Sequence, residues 1–375
     1  MNIQNYRQQL RAEQMQETID KLLMQDPFSL PQAAKEQLYQ KALCELTAHH
    51  RQKCAEYQRA LDKLGFQPTD SSPLATYPYL PVRLFKQLDL RSVPQEAVSK
   101  RMTSSGTTGQ NLSKIYLDKA NSQNQTKVLT KIVTSYIGQK RLPMLIVDSQ
   151  ATVKNRRSFS ARGAGILGFS MFGRKHTYAL NEQEQIDWPA LEQFVAAYGN
   201  QPVLLFGFTA IIWERFLDEL EASGKRFELS NATLIHGGGW KKLVNLGIDT
   251  QGFRQRVEKL TGITRVFDYY GMVEQTGSIF MECEAGHLHC SVFSDIIIRD
   301  FASLQPVPRG QKGLIQLISL LPSSYPGHSL LSEDIGEIIG IDDCSCGRKG
   351  KYFKVFGRIP KAEARGCSDT YEAKQ

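Results

Sequence analysis

A chain of 375 residues, with 41% apolar and 22% charged residues, has room for one large α/β domain or for two smaller ones. No run approaches the ~18 consecutive apolar residues of a membrane span, and the polar N-terminus has no signal-peptide core, so we expect a cytoplasmic protein. The formal net charge of +8 favours a phosphate-bearing ligand or an acidic protein partner. Nucleic acid is a less favoured ligand, because the sequence has no cluster of Lys and Arg interleaved with aromatic residues.

The first 65 residues are predicted to be helical. Leucines recur among Gln, Lys and Glu at near-helical spacing, and Pro27 and Pro31 divide the region into at least two helices. Residues 69–81 are rich in Pro, Ser and Tyr, which predicts an extended connector before a main domain that begins near Val82. The leucines of the helical pattern are Leu22, Leu23, Leu38, Leu43, Leu46, Leu61 and Leu64.

A glycine- and hydroxyl-rich stretch follows this connector. Its glycines let the backbone turn tightly, and its N–H and hydroxyl groups can donate hydrogen bonds to an anion, above all a polyphosphate. It is not a Walker sequence, because Gly109 is followed by Gln110 and not by Lys. The alternative interpretation is a Ser/Thr-rich surface loop. The stretch comprises Thr103, Ser104, Ser105, Gly106, Thr107, Thr108 and Gly109.

Strands and helices alternate after the loop. A strand over 114–117 is predicted to give the loop a strand–loop–strand setting, in which Lys114 either adds positive charge or is simply solvated. Continuous apolar runs then predict buried strands separated by helices, which is typical of a parallel α/β sheet. The predicted strands are 144–148, 203–207, 232–236 and 264–268, and the predicted helices are 119–138, 213–220 and 250–260.

Two strand ends are candidate ligand sites, because ligands of parallel sheets bind beyond the carboxyl ends of the strands. Gly237, Gly238 and Gly239 follow one strand, and without side chains their backbone could lie close to a flat adenine ring. A tight strand-to-helix turn is the alternative. Tyr270 and Gly271 follow the next strand.

The pattern changes near residue 283, where short strands over 294–299 and 314–318 are separated by Pro/Gly turns. We therefore expect a small β-rich subdomain. The predicted division is a helical N-terminal segment over 1–68, an α/β core over 69–282, the β-rich subdomain over 283–356 and a short tail over 357–375.

The β-rich region contains two short-spaced pairs of metal-binding side chains. Cys283 and His289 form one pair, and Cys344 and Cys346 form the other, some 55 residues further on. Thiolate and imidazole ligands in two such pairs suit a tetrahedral structural zinc, which would staple a region with few large apolar residues. Rival ligands are His287 and Cys290.

The glycine- and hydroxyl-rich loop is followed in order by HGGGWK, YGMVEQ, LSEDIG and VFGR. This set resembles the adenylate-forming superfamily of acyl and aryl ligases. The stretches TSSGTTG, GGGWK, SYPGHSLLSEDIG and RGCS are most similar to the acyl-protein synthetase component of the bacterial bioluminescence fatty-acid reductase. The resemblance spans about residues 70–370. It implies the α/β fold of the N-terminal domain of an adenylate-forming ligase, with the helical segment and the β-rich subdomain as additions.

The resemblance also implies roles for individual residues. The loop of residues 103–109 would hold the β- and γ-phosphates of ATP, and Tyr270 would line the nucleotide. Glu274 would bind Mg²⁺, because a cation that bridges phosphates prefers hard oxygen ligands such as a carboxylate. Asp334 would accept hydrogen bonds from the ribose hydroxyls, and Arg358 would contact the nucleotide. The alternatives are a turn cap for Asp334 and a surface charge for Arg358.

The chain ends 17 positions after Arg358, whereas a typical superfamily member has a further domain of about 100 residues there, so we expect that domain to be truncated. The similar synthetases are acylated on a cysteine near the C-terminus, which corresponds to Cys367. Arg365 could help favour its thiolate. Alternatively, Cys367 merely follows an Arg-Gly turn.

Three functions are therefore open. The first is activation of a carboxylic acid, a fatty acid by the resemblance, with acyl transfer to Cys367 or to a partner such as a reductase. The second sends the acyl group to coenzyme A or to an acyl carrier protein. The third is a nucleotide-binding protein without enzymatic turnover. The YGMVE stretch looks more like the general ligase motif than the bioluminescence motif, so the reductase partner is the least supported element.

Overall fold

The computed structural model of the chain describes residues 13, 15–67, 69, 71–104, 112–154, 161–238, 240, 243 and 247–359. Most strands within these ranges join one twelve-stranded sheet in the order β11-β12-β13-β14-β10-β9-β8-β7-β6-β4-β5, with β1 added beside β13, while β2 and β3 form a separate hairpin. The strands are β1 (Leu80–Pro81), β2 (Lys100–Thr103), β3 (Lys114–Leu117), β4 (Leu142–Ser149), β5 (Gly173–Leu180), β6 (Val203–Phe208), β7 (Ala232–Gly237), β8 (Arg265–Tyr270), β9 (Phe280–Glu282), β10 (Leu288–His289), β11 (Ser294–Arg299), β12 (Gly313–Ser319), β13 (Ser329–Ile341) and β14 (Lys351–Arg358).

Helices flank this sheet. No helix in the described ranges is long and apolar enough to cross a membrane. The helices are α1 (15–23), α2 (Gln32–Lys53), α3 (Ala55–Leu64), α4 (Leu84–Gln87), α5 (Lys119–Ile137), α6 (Ala151–Lys154), α7 (Ala161–Ser170), α8 (Trp188–Tyr198), α9 (Thr209–Ile211), which continues through a π-helical stretch (Ile212–Leu217) into α10 (Asp218–Ser223), and α11 (Thr250–Thr261).

The predicted α/β core is confirmed. Strands β4, β6, β7 and β8 are parallel neighbours, as their apolar sequences predicted. Every residue of β6 and β7 is buried, because helices cover both faces of the sheet. The carboxyl ends of β7 and β8 therefore lie side by side, with Gly237 opposite Tyr269 in the ladder. This register brings the triple-glycine turn next to the turn that follows Tyr270.

The N-terminal helices are also confirmed, with two local differences. Leu64 is 65% exposed at the end of α3, whereas Leu22, Leu43 and Leu46 are fully buried. The predicted extended connector contains a 3-10 turn (Leu74–Thr76), and its last residues form β1, which pairs in parallel with β13. The connector thus adds an edge to the same sheet that contains Asp334.

The hydrogen-bonded ladder continues across residue 283. Strand β9, which precedes it, pairs with β8 on one side and with β10 on the other. β10 in turn pairs with β14, and β14 pairs with β13. The antiparallel, β-rich part and the parallel part therefore share one sheet, and the division at this position stays a prediction.

Two buried histidines join α2 to the segment that precedes β13. The rings of His50 and His328 stack at a centroid distance of 4.9 Å, and both residues are at most 1% exposed. His50 contacts the Pro322 carbonyl oxygen through Nε2 at 3.0 Å, and His328 Nε2 contacts Thr47 Oγ1 at 3.1 Å. Burial lowers the pKa of both rings, that of His328 to about 3.

We expect this histidine pair to make folding sensitive to acid. Below the unfolded-state pKa of ~6.5, the unfolded chain binds protons that the folded chain excludes. The stabilising contribution is complete above that pH and is lost as the pH falls toward 3, at up to ~1.4 kcal/mol per pH unit for each histidine. Urea unfolding at several pH values should therefore give a shallower pH dependence for His328→Gln than for the unsubstituted protein. Equal slopes would contradict the assignment.

Candidate functional site

A hydrogen-bonded group of three side chains lies where β8, β13 and β14 meet. The hydroxyl of Tyr270, at the end of β8, donates to Asp334 Oδ2 at 2.7 Å. Arg358, at the end of β14, donates through Nε to Asp334 Oδ1 at 3.2 Å, and the two residues face each other in the ladder. The backbone N–H of Asp334 donates to Ser332 Oγ at 3.2 Å. A carboxylate is thereby fixed between a hydroxyl donor and a guanidinium.

Tyr270 stays a hydrogen-bond donor in this group. Burial raises the pKa of its hydroxyl well above the ordinary value, and the nearby charge of Asp334 raises it further. The ring packs against Phe280 and Phe353 at centroid distances of 6.0 and 6.3 Å. The structure thus brings together three residues that the sequence separates by 64 and 24 positions.

Glu274 lies four residues after Tyr270 in a 3-10 turn (Val273–Gln275). It is only 4% exposed, which is unusual for a carboxylate. The flanking Met272 and Val273 pack against an apolar cluster that includes Phe85, Ile115 and Tyr325. The turn is therefore held between the β2–β3 hairpin and the segment before β13.

The predicted polyphosphate loop lies mostly outside the described residues, but its base is visible. β2 and β3 form an antiparallel hairpin in which Thr103 pairs with Lys114, so the loop has the predicted strand–loop–strand setting. Ser104 N–H donates to the Ser113 carbonyl oxygen at 3.2 Å, and Ser113 N–H donates to Ser104 Oγ at 3.0 Å, which closes the loop at its base. The predicted residues outside the described ranges are Ser105, Gly106, Thr107, Thr108 and Gly109.

Lys114 is paired on the hairpin with a carboxylate. Its Nζ lies 3.6 Å from Asp89 Oδ1, and Lys114 is 39% exposed. The Tyr116 hydroxyl donates to the same Asp89 oxygen at 2.8 Å. This hydrogen bond, with a further contribution from the Lys114 charge, lowers the pKa of Asp89. The lysine head group is thus near the base of the loop, in a solvated ion pair.

The glycines after β7 are needed for close packing. A Cβ on Gly237 would lie 2.3 Å from the Tyr269 ring, so no larger residue fits without movement. Gly238 has a φ of 98°, a conformation that side chains disfavour. Gly239 lies outside the described residues. Gly271, on the neighbouring strand end, would bring a Cβ within 3.0 Å of Ile279.

Sequence reasoning did not find a polar cluster behind these glycines. Trp240 Nε1 donates to Asp268 Oδ2 at 3.0 Å, and His236 Nδ1 lies 2.9 Å from Thr209 Oγ1. Burial raises the pKa of Asp268, and the charge of Glu282 raises it further. Burial also lowers the pKa of His236 to about 3. The hydrogen bond from Trp240 joins the glycine turn to β8.

The predicted cysteine and histidine pairs come together at the loop between β13 and β14. The ligand atoms of Cys283, His289, Cys344 and Cys346 all lie within 4.8 Å of one another. Two sulfurs bound to one tetrahedral zinc at 2.3 Å would be ~3.8 Å apart, and a sulfur and a histidine nitrogen ~3.6 Å apart. Cys283 Sγ and Cys344 Sγ are 3.9 Å apart, and Cys346 Sγ and His289 Nε2 are 3.4 Å apart. The spacing of the side chains therefore fits zinc.

Of the two rival ligands, only His287 borders this cluster closely. Its Nδ1 lies 3.7 Å from Cys344 Sγ. Cys290 instead belongs to the apolar cluster around Phe280 and Phe353. The structure therefore favours the four predicted ligands over Cys290.

Arg348 supports the cluster from outside. It donates to Glu284 at 2.5 Å and lies over the Tyr136 ring at 4.4 Å. Burial would raise the pKa of Cys346, but hydrogen bonds, including one from Arg348, outweigh burial and lower it. Burial raises the pKa of the Cys283 thiol to about 12.

The remaining predicted site residue, Cys367, lies outside the described residues. Its position relative to the Tyr270–Asp334–Arg358 group is therefore a prediction from the sequence alone.

Comparison with known proteins assigns this arrangement to a family and a fold. A family profile described as "Acyl-protein synthetase, LuxE" matches residues 6–375. An open conformation of 2-hydroxyisobutyryl-CoA ligase in complex with 2-HIB-AMP and CoA is similar in structure, with a TM-score of 0.69 and 18% identity over 89% of this chain and 77% of that chain. The same ligase in the thioesterification state gives a TM-score of 0.68 over 89% of this chain and 70% of that chain, also at 18% identity. A search of curated protein sequences finds no match.

Proposed function

The chain belongs to the LuxE family of acyl-protein synthetases, and from that premise we propose that it activates a carboxylic acid with ATP and transfers the acyl group to a cysteine thiol. The structural neighbours are adenylate-forming ligases, and this chain has their fold. The observation that supports the proposal most is the group of Tyr270, Asp334 and Arg358. It joins a partly buried aromatic at the end of β8 to a fixed carboxylate and a guanidinium on the paired strands β13 and β14.

Each of these residues has a role toward ATP in the proposal. Asp334 accepts hydrogen bonds from the ribose hydroxyls, Arg358 contacts the nucleotide, and the ring of Tyr270 lines it. The glycine turn after β7 lies beside the adenine. The loop of residues 103–109 holds the β- and γ-phosphates, with Lys114 near its base.

Glu274 is the proposed ligand of Mg²⁺. A bound Mg²⁺ supplies charge that offsets the negative phosphates as they react. A carboxylate is the hard oxygen ligand that this cation prefers, and Glu274 lies one short turn beyond Tyr270.

The proposed reaction has two steps. First, a carboxylate oxygen of the acid attacks the α-phosphorus of ATP, and the bond to pyrophosphate breaks, which leaves an acyl-adenylate. Next, the thiolate of Cys367 attacks the acyl carbonyl carbon, and AMP leaves with the bonding electron pair. Arg365 next to Cys367 favours the thiolate form. The acid is proposed to be a fatty acid, as in the synthetases that the sequence resembles.

The alternative acceptor is a thiol outside the chain. Coenzyme A or an acyl carrier protein could take the acyl group from the adenylate directly, and a reductase could take it from Cys367. A nucleotide-binding protein without turnover is the third possibility. These functions differ in whether the chain itself becomes acylated.

We also propose that Cys283, His289, Cys344 and Cys346 hold a structural zinc ion. The fit of the interatomic distances to a tetrahedral site supports this assignment. The ion would stabilise the hairpin of β13 and β14 and take no part in acyl transfer.

Two measurements test the proposed reaction. We expect ATP–pyrophosphate exchange that depends on an added carboxylic acid, and a screen of acids of different lengths should identify the substrate. With a radiolabelled acid, the chain should also become labelled. Complete absence of exchange with every acid would favour the non-enzymatic alternative.

Cys367→Ser separates the two acceptor classes. Exchange should persist in this variant, because the first step needs no thiol, whereas the labelled protein band should disappear. Cys44→Ser is a suitable control, since Cys44 is a partly buried cysteine on α2 with no proposed role in acyl transfer. A band that survives in Cys367→Ser would argue for another acceptor.

A further inference from the structure

The segment between β12 and β13, with the sequence PSSYPGH (322–328), contacts the turn that contains Glu274. Tyr325 is completely buried in this segment, and its hydroxyl donates to the backbone carbonyl oxygen of Glu274 at 2.8 Å. The Tyr325 ring packs edge-on against Phe85 at 6.1 Å. One buried side chain thus reaches from the start of β13 to the main chain of the proposed magnesium ligand.

A second contact fixes the next residue of the same turn. Gln275 Nε2 donates to the Gly327 carbonyl oxygen at 2.8 Å and to the Leu317 carbonyl oxygen at 3.2 Å. The Glu274 carbonyl accepts from the segment while the Gln275 side chain donates to it. Two hydrogen bonds of opposite direction therefore join the turn to the segment.

The segment has a shape that permits this contact. Gly327 N–H donates to the Tyr325 carbonyl oxygen at 2.8 Å, which makes a tight three-residue turn around Pro326. A Cβ on Gly327 would lie 2.2 Å from the Tyr325 ring and 3.0 Å from the Glu274 carbonyl oxygen. A glycine is thus needed where the ring folds back over its own backbone.

The segment is also anchored on its other side. Ser324 Oγ donates to the Tyr116 carbonyl oxygen at 2.8 Å, next to the β2–β3 hairpin, and Ser92 N–H donates to the Ser324 carbonyl oxygen at 2.8 Å. The same segment therefore contacts both the hairpin that carries the proposed phosphate loop and the turn that contains Glu274.

The 3-10 turn has little stability of its own. It spans only three residues, and no side chain caps its first residue. Short helical turns depend on their surroundings, because few of their own hydrogen bonds offset the entropy of ordering. The main-chain conformation of Glu274 thus depends on contacts from outside the turn, among them the Tyr325 hydroxyl and the Gln275–Gly327 hydrogen bond.

We propose that Tyr325 is a positioning residue for Mg²⁺: its hydroxyl fixes the main chain of Glu274 and so holds the carboxylate where the cation binds. The inference rests on the proposed role of Glu274 in the adenylation reaction. Tyr325 acts only through Glu274 and touches neither substrate nor cation.

Tyr325→Phe removes one oxygen atom and keeps the packed ring. We expect the affinity for Mn²⁺, measured by electron paramagnetic resonance with ATP present, to fall about tenfold, the usual effect of one lost buried hydrogen bond. The KM for magnesium in pyrophosphate exchange should rise by a similar factor. At saturating Mg²⁺ the exchange rate should stay within about twofold, because excess cation repopulates the bound state.

Tyr39→Phe is the matched control. Tyr39 is also completely buried, and its hydroxyl donates to a backbone carbonyl oxygen, that of Val292, at 3.0 Å. A loss of general stability would lower the melting temperature of both variants, but only Tyr325→Phe should weaken Mn²⁺ binding. Gln275→Met, which removes the second contact at nearly constant volume, should weaken Mn²⁺ binding as well.

Glu274→Gln shows which idea fails if the expected result does not appear. If Glu274→Gln weakens Mn²⁺ binding while Tyr325→Phe behaves like Tyr39→Phe, the positioning role is overturned and the proposed role of Glu274 stands. If Glu274→Gln binds Mn²⁺ like the unsubstituted protein, the assignment of Glu274 fails, and the role of Tyr325 fails with it.

Discussion

Replacement of Asp334 by asparagine is expected to lower acid-dependent ATP–pyrophosphate exchange by about 100-fold, because hydrogen bonds to a charged group are each worth ~1.5–3 kcal/mol. Asp334 accepts from the Tyr270 hydroxyl through one oxygen and from Arg358 through the other. An asparagine keeps only one accepting oxygen, so it must turn its NH₂ group toward one of the two donors. It also loses the charge that pairs with Arg358.

The loss should appear mainly in the KM for ATP. In the proposed site Asp334 binds the ribose, which does not change during the reaction, so ground state and transition state lose the contact equally. Misplacement of Arg358 would add a smaller decrease in kcat. Exchange kinetics over a range of ATP concentrations, together with calorimetric titration of ATP, separate these two contributions.

Glu333→Gln is the control for this experiment. Glu333 is the neighbouring carboxylate on β13, and it pairs with Arg83, which is 49% exposed. The Glu333 side chain is 11% exposed, but its half-exposed partner is screened by solvent, so the pair is worth about 1 kcal/mol and exchange should change by no more than about fivefold. An Asp334→Asn enzyme that matches Glu333→Gln would contradict the assignment of Asp334 to the nucleotide.

Much of the fold could be predicted from the sequence because the central strands are buried on both faces. The apolar runs of β4, β6 and β7 have one favourable environment, the interior of a parallel sheet. β5 could not be found in this way. It lies at the edge of the sheet, and its middle residues, Arg174, Lys175 and His176, are exposed and polar.

The candidate site was predictable as a set of motifs but not as a set of contacts. The spacing of Tyr270 and Glu274 could be recognised locally, because both lie on one strand end and its turn. The hydrogen bond between Tyr270 and Asp334 depends on the order of strands in the sheet, which local patterns do not encode. Tyr325 lies in the stretch SYPGHSLLSEDIG, which carries part of the resemblance, but the sequence predicted no role for it, since a buried tyrosine among Pro, Ser and Gly is not distinguishable from an ordinary core residue.

Zinc removal is the second change with a large expected effect. Cys283→Ser should leave the purified protein without the single zinc ion that we expect in the unsubstituted protein, measured by atomic emission. We expect it to lower the free energy of unfolding by ~5 kcal/mol and the melting temperature by ~10 °C, part of the ~10–16 kcal/mol that structural zinc sites supply. Serine cannot replace the thiolate, and Cys344 and Cys346 would lose the charge that balances them.

Cys54→Ser is the matched control, because Cys54 is about as buried as Cys283 and does not belong to the cluster of four candidate metal ligands. Both variants bury a hydroxyl in place of a thiol, so the difference between them isolates the metal. If the purified protein holds no zinc, and Cys283→Ser melts together with Cys54→Ser, the metal assignment is wrong.

The effect should extend from the metal cluster to the nucleotide site. Cys344 and Cys346 lie in the loop that joins β13 to β14, and the other end of this hairpin pairs Asp334 with Arg358. The ladder between these ends is irregular at two places, where its hydrogen bonding is locally interrupted. Loss of zinc releases the loop that joins the two strands, and the pairing of the strands near Asp334 and Arg358 can then shift. The KM for ATP should therefore rise in Cys346→Ser at temperatures well below its melting transition, and an unchanged KM would show that the two ends are independent.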